Sequence, residues 1–155
     1  MGIESLAAAL EREHHEIDEG IDAFTSGSPS GDRGSLTRAI HALRRHIYLE
    51  EEFLFPPLRD AGLMAPVFVM LREHAQMWET LDTLERDLAA GADDKAAFAL
   101  CHQLTVQLQH HNMKEERILY PQADEVLTAS ASERLRTFLD AGELPEGWIC
   151  QKARS

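Results

Sequence analysis

The stretch His46-Ile47-Tyr48-Leu49-Glu50-Glu51-Glu52-Phe53-Leu54-Phe55-Pro56 aligns without a gap with His111-Asn112-Met113-Lys114-Glu115-Glu116-Arg117-Ile118-Leu119-Tyr120-Pro121, at an offset of 65 residues. Upstream of each, Arg12-Glu13-His14 matches Arg72-Glu73-His74, after which Ile17, Ile21 and Phe24 match Met77, Leu81 and Leu84 at an offset of 60. The apolar residues in both halves recur every three or four positions, which lines one face of a helix. The chain therefore reads as two related helix pairs.

The first predicted helix runs from about 3 to 24, with Leu6, Leu10, Ile17, Ile21 and Phe24 on one face, and the Ser26–Gly31 segment ends it with turn residues. The second covers about 35–55, with Leu36, Ile40, Leu43, Phe53 and Leu54 inward, and Pro56-Pro57 ends or kinks it. The third starts near Ala65-Pro66, where proline suits a first turn, and Gly91 closes it. Asp93 or Asp94 caps the fourth, which turns Phe98, Cys101, Leu104, Leu108, Ile118 and Leu119 inward before Pro121. Residues 130–140 predict a short fifth helix, and 142–155 show no sustained period. The expectation is an all-α protein: an up-down-up-down four-helix bundle over 1–128, then a short C-terminal helix and irregular tail over 129–155.

Each of the four long helices sends one histidine along its apolar stripe. His14 continues Leu6, Leu10, Ile17 and Ile21, whereas His15 falls with Glu11, Asp18, Glu19 and Asp22 on the polar face. His111 follows Leu104 and Leu108, whereas His110 falls with Gln103, Gln107 and Lys114. His74 lies between Met70 or Leu71 and Met77, and His46 between Leu43 and Glu50. His15, His41, His102 and His110 are assigned to the surface. Glu50 and Glu115 each follow an inward histidine by four residues, about one turn on, so two carboxylates also face the core. Burying a glutamate alone costs several kcal/mol or a large upward pKa shift, so a cation is expected among these groups. Four imidazoles and two carboxylates exceed one tetrahedral zinc site and favour first-row transition metals over calcium or magnesium. Two ions fit the count better, with the carboxylates able to bridge and the histidines terminal.

The set His14, His46 with Glu50, His74, and His111 with Glu115 resembles the hemerythrin-like, or HHE cation-binding, family over about residues 3–125. The resemblance implies a non-haem centre of two iron ions with an oxo or hydroxo bridge, in which Glu50 and Glu115 are the carboxylate bridges. Manganese is the alternative metal, since it accepts the same donors. Oxygen-carrying hemerythrins have two histidines four apart on the third helix, but here the residue four after His74 is Trp78. Their last motif is His-x-x-x-x-Asp, but here it is His-x-x-x-Glu. The site is thus one ligand poorer, like that of members linked to iron sensing or to nitric oxide and oxidative stress. These departures weigh against reversible oxygen carriage.

The expected function is binding or sensing of a small ligand such as dioxygen, nitric oxide or peroxide. The alternatives are an enzyme acting on these ligands with an external electron donor, which the sequence does not name, and an iron-dependent module that meets another protein. The net charge of -12, from 27 acidic and 15 basic residues, repels nucleic acid and anionic membranes, so neither is an expected partner. With no signal-peptide pattern and no apolar run near the roughly 20 residues of a membrane span, a cytoplasmic location is expected. Glu13, Glu73, Glu51 and Glu116 are read as solvated faces in preference to hydrogen-bond partners of the ligands. Trp78 is either a shield beside the metals or an ordinary core aromatic. Cys101 reads as a core thiol, and Cys150 as a bystander in a loose tail in preference to a redox-active group.

Overall fold

The computed structural model describes residues 3–26 and 32–154; residues 27–31, most of the expected first turn, lie outside them. Every regular element among the described residues is helical: α1 (Leu6–Thr25), α2 (Arg33–Leu49), α3 (Phe55–Asp60), α4 (Met64–Ala89), α5 (Asp94–Lys114), α6 (Tyr120–Val126) and α7 (Ala129–Ala141), with a short 3-10 turn at Gln151–Ala153. Helix starts carry the side chains that satisfy their free amides. Ser5, Asp32, Asp93 and Thr128 accept from Ala8, Ser35, Ala96 and Ala131, respectively. Gly91 leaves α4 at φ 74°, a conformation glycine adopts without strain. Helices α1 and α2 pack together, as do α4 and α5, giving the two helix pairs that the repeat implies. At Gly20 an added Cβ would sit 2.8 Å from that of Ala39, so the first pair needs glycine for its close approach.

One π-helical turn, Glu50–Leu54, joins α2 to α3, and a second, Glu115–Leu119, joins α5 to α6. Both open on the repeated glutamate, and the amides of Phe55 and Tyr120 reach back to the carbonyls of Glu50 and Glu115. The prolines explain the widening. Pro56 and Pro121 lack an amide and would clash with a carbonyl four residues earlier, and one extra residue in the turn relieves both problems while the chain stays helical. The extra residue also rotates everything after it. Ile118, expected inward, is 48% exposed, and Leu119 and Tyr120 fill the core in its place. Phe53, also expected in the core, is half-buried against Tyr48 and Phe138 instead.

The core divides into two apolar clusters. One holds Ile17, Ile21, Leu43, Met77 and Leu108, among others, and the second holds Leu6, Leu10, Leu49, Leu71 and Leu119. In sequence His14, His46, His74 and His111 each fall between a residue of one cluster and a residue of the other. The four long helical segments thus carry a polar layer between two apolar ones.

Trp78 is buried in the first cluster, with Arg44 over its ring at 4.3 Å and Trp148 edge-on at 5.5 Å, which fits the ordinary core reading. The segment around Trp148 and Cys150 is not a loose tail. Cys150 is fully buried in that same cluster, and burial, with Glu51 nearby, pushes its thiol up to about 12. It carries little reactive thiolate at neutral pH, so the bystander in a loose tail becomes a core residue. No helix among the described residues is long and apolar enough to cross a membrane.

Candidate metal centre

His14, His46, Glu50, His74, His111 and Glu115 are all buried and converge in the polar layer. They form two groups that share both carboxylates: His14, His46, Glu50 and Glu115, and Glu50, His74, His111 and Glu115, with the donor atoms of each group within 4.8 Å of one another. The rings pair accordingly, with centroids 4.9 Å apart for His14 and His46 and 4.9 Å apart for His74 and His111. Each glutamate offers one oxygen to each pair. Glu50 Oε2 lies 3.4 Å from His46 Nε2 and its Oε1 lies 3.0 Å from His74 Nε2. Glu115 Oε1 lies 3.2 Å from His14 Nε2 and its Oε2 lies 3.2 Å from His111 Nε2. His15, His41, His102 and His110 are exposed, away from this layer.

The outer nitrogen of every central histidine meets a carboxylate from another helical segment. His14 Nδ1 lies 2.8 Å from Glu116, His46 Nδ1 2.8 Å from Glu13, His74 Nδ1 2.7 Å from Glu51, and His111 Nδ1 2.9 Å from Glu73. These four glutamates are therefore not simply solvated faces. Three are anchored in turn: Glu13 accepts from Arg45 at 3.0 Å, Glu73 from Lys114, and Glu51 from the amide of Gln151 at 2.9 Å. A carboxylate on Nδ1 fixes the proton there and turns the Nε2 lone pair inward, as in carboxylate-supported metal sites. The sequence signal was adjacency, since each outer glutamate is next to a central residue, but each one serves a histidine on a different helix.

With those tautomers the inward atoms are all Lewis bases, four imidazole nitrogens and four carboxylate oxygens. Such a set needs cations or protons. Among the described residues, Glu115 Oε2 is the one buried side-chain nitrogen or oxygen with no hydrogen-bond partner. The titration of the site tells the same story. Burial disfavours imidazolium, yet Glu50 and Glu13 hold His46 well above its usual range. Burial likewise opposes charge on His111, but Glu115, Glu73 and Glu50 raise it to about 10. His74 is raised against burial by Glu50 and Glu51. Glu50 is held well below the usual carboxylate range despite burial, first by His46. In the absence of metal, protons fill a place built for positive charge, so the donor set fits metal ions.

Tyr120, given no role by the sequence reading, stands in the middle of the site. Its hydroxyl lies 2.6 Å from Glu50 Oε2, 3.0 Å from Glu115 Oε1, 2.8 Å from His14 Nε2 and 3.0 Å from His46 Nε2. Burial and the two carboxylates raise its phenol well above the usual range, so it enters as a proton donor. In the repeat its counterpart is Phe55, which stacks on His74 with centroids 5.4 Å apart. The two halves are thus unequal, with a hydroxyl on the His14 and His46 side and a bare ring on the other.

A helical bundle with a buried layer of histidines and carboxylates defines a metal-binding helical protein. The chain belongs to the hemerythrin family: the hemerythrin HHE cation binding domain matches residues 5–123. Among curated relatives, it is 30% identical over 105 residues to the iron-sulfur cluster repair protein YtfE of Yersinia pestis (strain Pestoides F), covering 61% of this chain and 48% of the relative. The YtfE protein of Yersinia pseudotuberculosis (serotype O:1b) matches equally, so the chain spans about half the length of the curated relatives it matches. No solved structure matches the chain.

Proposed function

We propose that residues 1–128 form an up-down-up-down bundle that holds two iron ions and binds or senses dioxygen, nitric oxide or peroxide, with residues 129–155 as a C-terminal helix and tail. His14 and His46 would hold one ion and His74 and His111 the other, with Glu50 and Glu115 offering a carboxylate oxygen to each. The observation that carries this reading is that each carboxylate presents one oxygen to each histidine pair. Each group offers four protein donors, fewer than an octahedral ion takes, so iron held there would supply Lewis-acid positions to a small ligand. The chain's own contribution is to fix the imidazole tautomers through Glu13, Glu51, Glu73 and Glu116, to offer the Tyr120 proton, and to limit water with apolar layers above and below.

The likeness to iron-sulfur cluster repair proteins favours a second reading, in which the bound iron is cargo released to a damaged cluster. One experiment separates the readings. The iron-loaded chain is mixed with dioxygen, nitric oxide or peroxide, and its spectrum and the ligand's consumption are followed with and without a reductant. Binding or sensing gives a spectral change with about one equivalent bound and no net consumption. Repeated consumption with reductant makes the protein an enzyme, and iron passing to a cluster-depleted protein while the chain empties supports repair.

A further inference from the structure

Of the four carboxylates that hold the outer nitrogens of the central histidines, Glu51 is set apart. Its side chain is fully buried, whereas those of Glu13, Glu73 and Glu116 are 15%, 17% and 35% exposed. It is also the one whose observed anchor is a backbone amide, and that amide belongs to Gln151, far beyond the residues matched by the family. The final segment is built to hold this contact. Trp148 packs edge-on against Trp78 at 5.5 Å and against Tyr48 at 5.1 Å, and its indole donates to Glu52 at 3.3 Å. Cys150 is buried in the core beside it. The segment therefore grips two successive residues of the first π-helical turn, immediately after Glu50. Among the described residues, none covers the corresponding Glu116 of the second π-helical turn in this way, and its side chain is partly exposed.

We infer that residues 148–151 are a positioning strap for the metal centre, acting on His74 through Glu51. The amide of Gln151 donates to Glu51 Oε1, and Glu51 Oε2 accepts from His74 Nδ1 at 2.7 Å, which leaves His74 Nε2 turned to Glu50. Glu51 has two oxygens and two donors to satisfy. Removing the Gln151 donor leaves a buried carboxylate oxygen unpaired, and the carboxylate relieves this by turning, which takes its other oxygen away from His74. The inference rests on the two-ion reading above. Its consequence is thermodynamic coupling between docking of the strap and occupancy at His74 and His111, and such coupling is reciprocal.

The test removes the donor. Cys150 has φ -61° and ψ 151°, the conformation a residue before proline favours, and Gln151 opens a helical turn, where proline is accepted. Gln151→Pro removes the amide proton and puts a methylene against Glu51, whereas Gln151→Ala keeps the proton. The full chains are titrated anaerobically with ferrous iron, and amide hydrogen exchange of residue 151 is followed in the unsubstituted chain. The expected result is two binding steps in the unsubstituted chain and in Gln151→Ala, with one step weakened by about 10- to 100-fold in Gln151→Pro. Iron should also slow exchange of the Gln151 amide, a measurement that stands even where the proline variant fails to fold. A proline variant that melts lower yet binds iron as tightly, or exchange at Gln151 unchanged by iron, overturns the strap while the metal reading survives. No iron bound by the unsubstituted chain overturns both.

Discussion

Tyr120 donates its hydroxyl proton to Glu50 across 2.6 Å, joining two residues that stand 70 apart in the chain at the centre of the buried layer. The same hydroxyl reaches Glu115 at 3.0 Å, so one phenol serves both carboxylates.

In the metal-free chain, Tyr120→Phe strips both carboxylates of that donor with little change in shape. The loss should be about 1.5 to 3 kcal/mol, the range for a hydrogen bond to a charged group. Bound ions satisfy the same oxygens, so the loaded chain should lose less. Denaturant unfolding with and without metal checks this, and equal losses in the two states would show that the hydroxyl does not share the ions' role.

Glu73→Gln tests the outer carboxylates. Glutamine has one oxygen where Glu73 uses two, one for His111 and one for Lys114. Metal affinity should fall by about 10- to 100-fold, while Glu133→Gln, on the exposed face of α7, should leave it unchanged. Isothermal titration of both variants measures the difference. A Glu73 variant that binds as tightly as the parent chain would return these residues to the solvated-face reading.

The pH dependence of the metal-free fold follows from His111 and Glu73. His111 is raised from 6.5 to about 10 with burial opposing and Glu115 foremost in support, so its stabilisation is complete below 6.5 and is lost as pH rises through about 10. Glu73 is lowered from 4.5 to about 2 against burial, chiefly by His111 and Lys114, so its contribution is present above 4.5 and is lost as pH falls through about 2. Melting of the metal-free chain should therefore weaken steadily from pH 6.5 to 10. The loaded chain should change less there, because ions occupy the lone pairs that protons would leave, and binding should release protons. Thermal melts across that range, with and without metal, decide it.

Much of this arrangement is legible in the sequence. His14 and His15 are neighbours, yet only His14 continues an apolar stripe, and it alone is buried. The repeat placed Glu50 and Glu115 on that face by the same geometry. What escaped the sequence had two physical causes. Ile118 and Tyr120 were misplaced or overlooked because the π-helical turns add a residue and rotate the chain, which a fixed period of 3.6 does not anticipate. Glu13 and Glu51 are read from the sequence as solvated faces because helix-face reasoning treats each helix alone, whereas Glu13 of α1 serves His46 of α2 and Glu51 serves His74 of α4. The C-terminal segment was unreadable for a related reason: its contacts rest on single residues, Trp148 and Cys150, with no period to reveal them.

The most direct test is metal content per chain after expression with ample iron and anaerobic reconstitution, compared for the parent chain, His111→Ala and His110→Ala. The two-ion reading predicts close to two irons in the parent and in the exposed His110 variant, with a sharp loss when the buried His111 is removed. No iron in the parent chain, or equal loss from both variants, would contradict it.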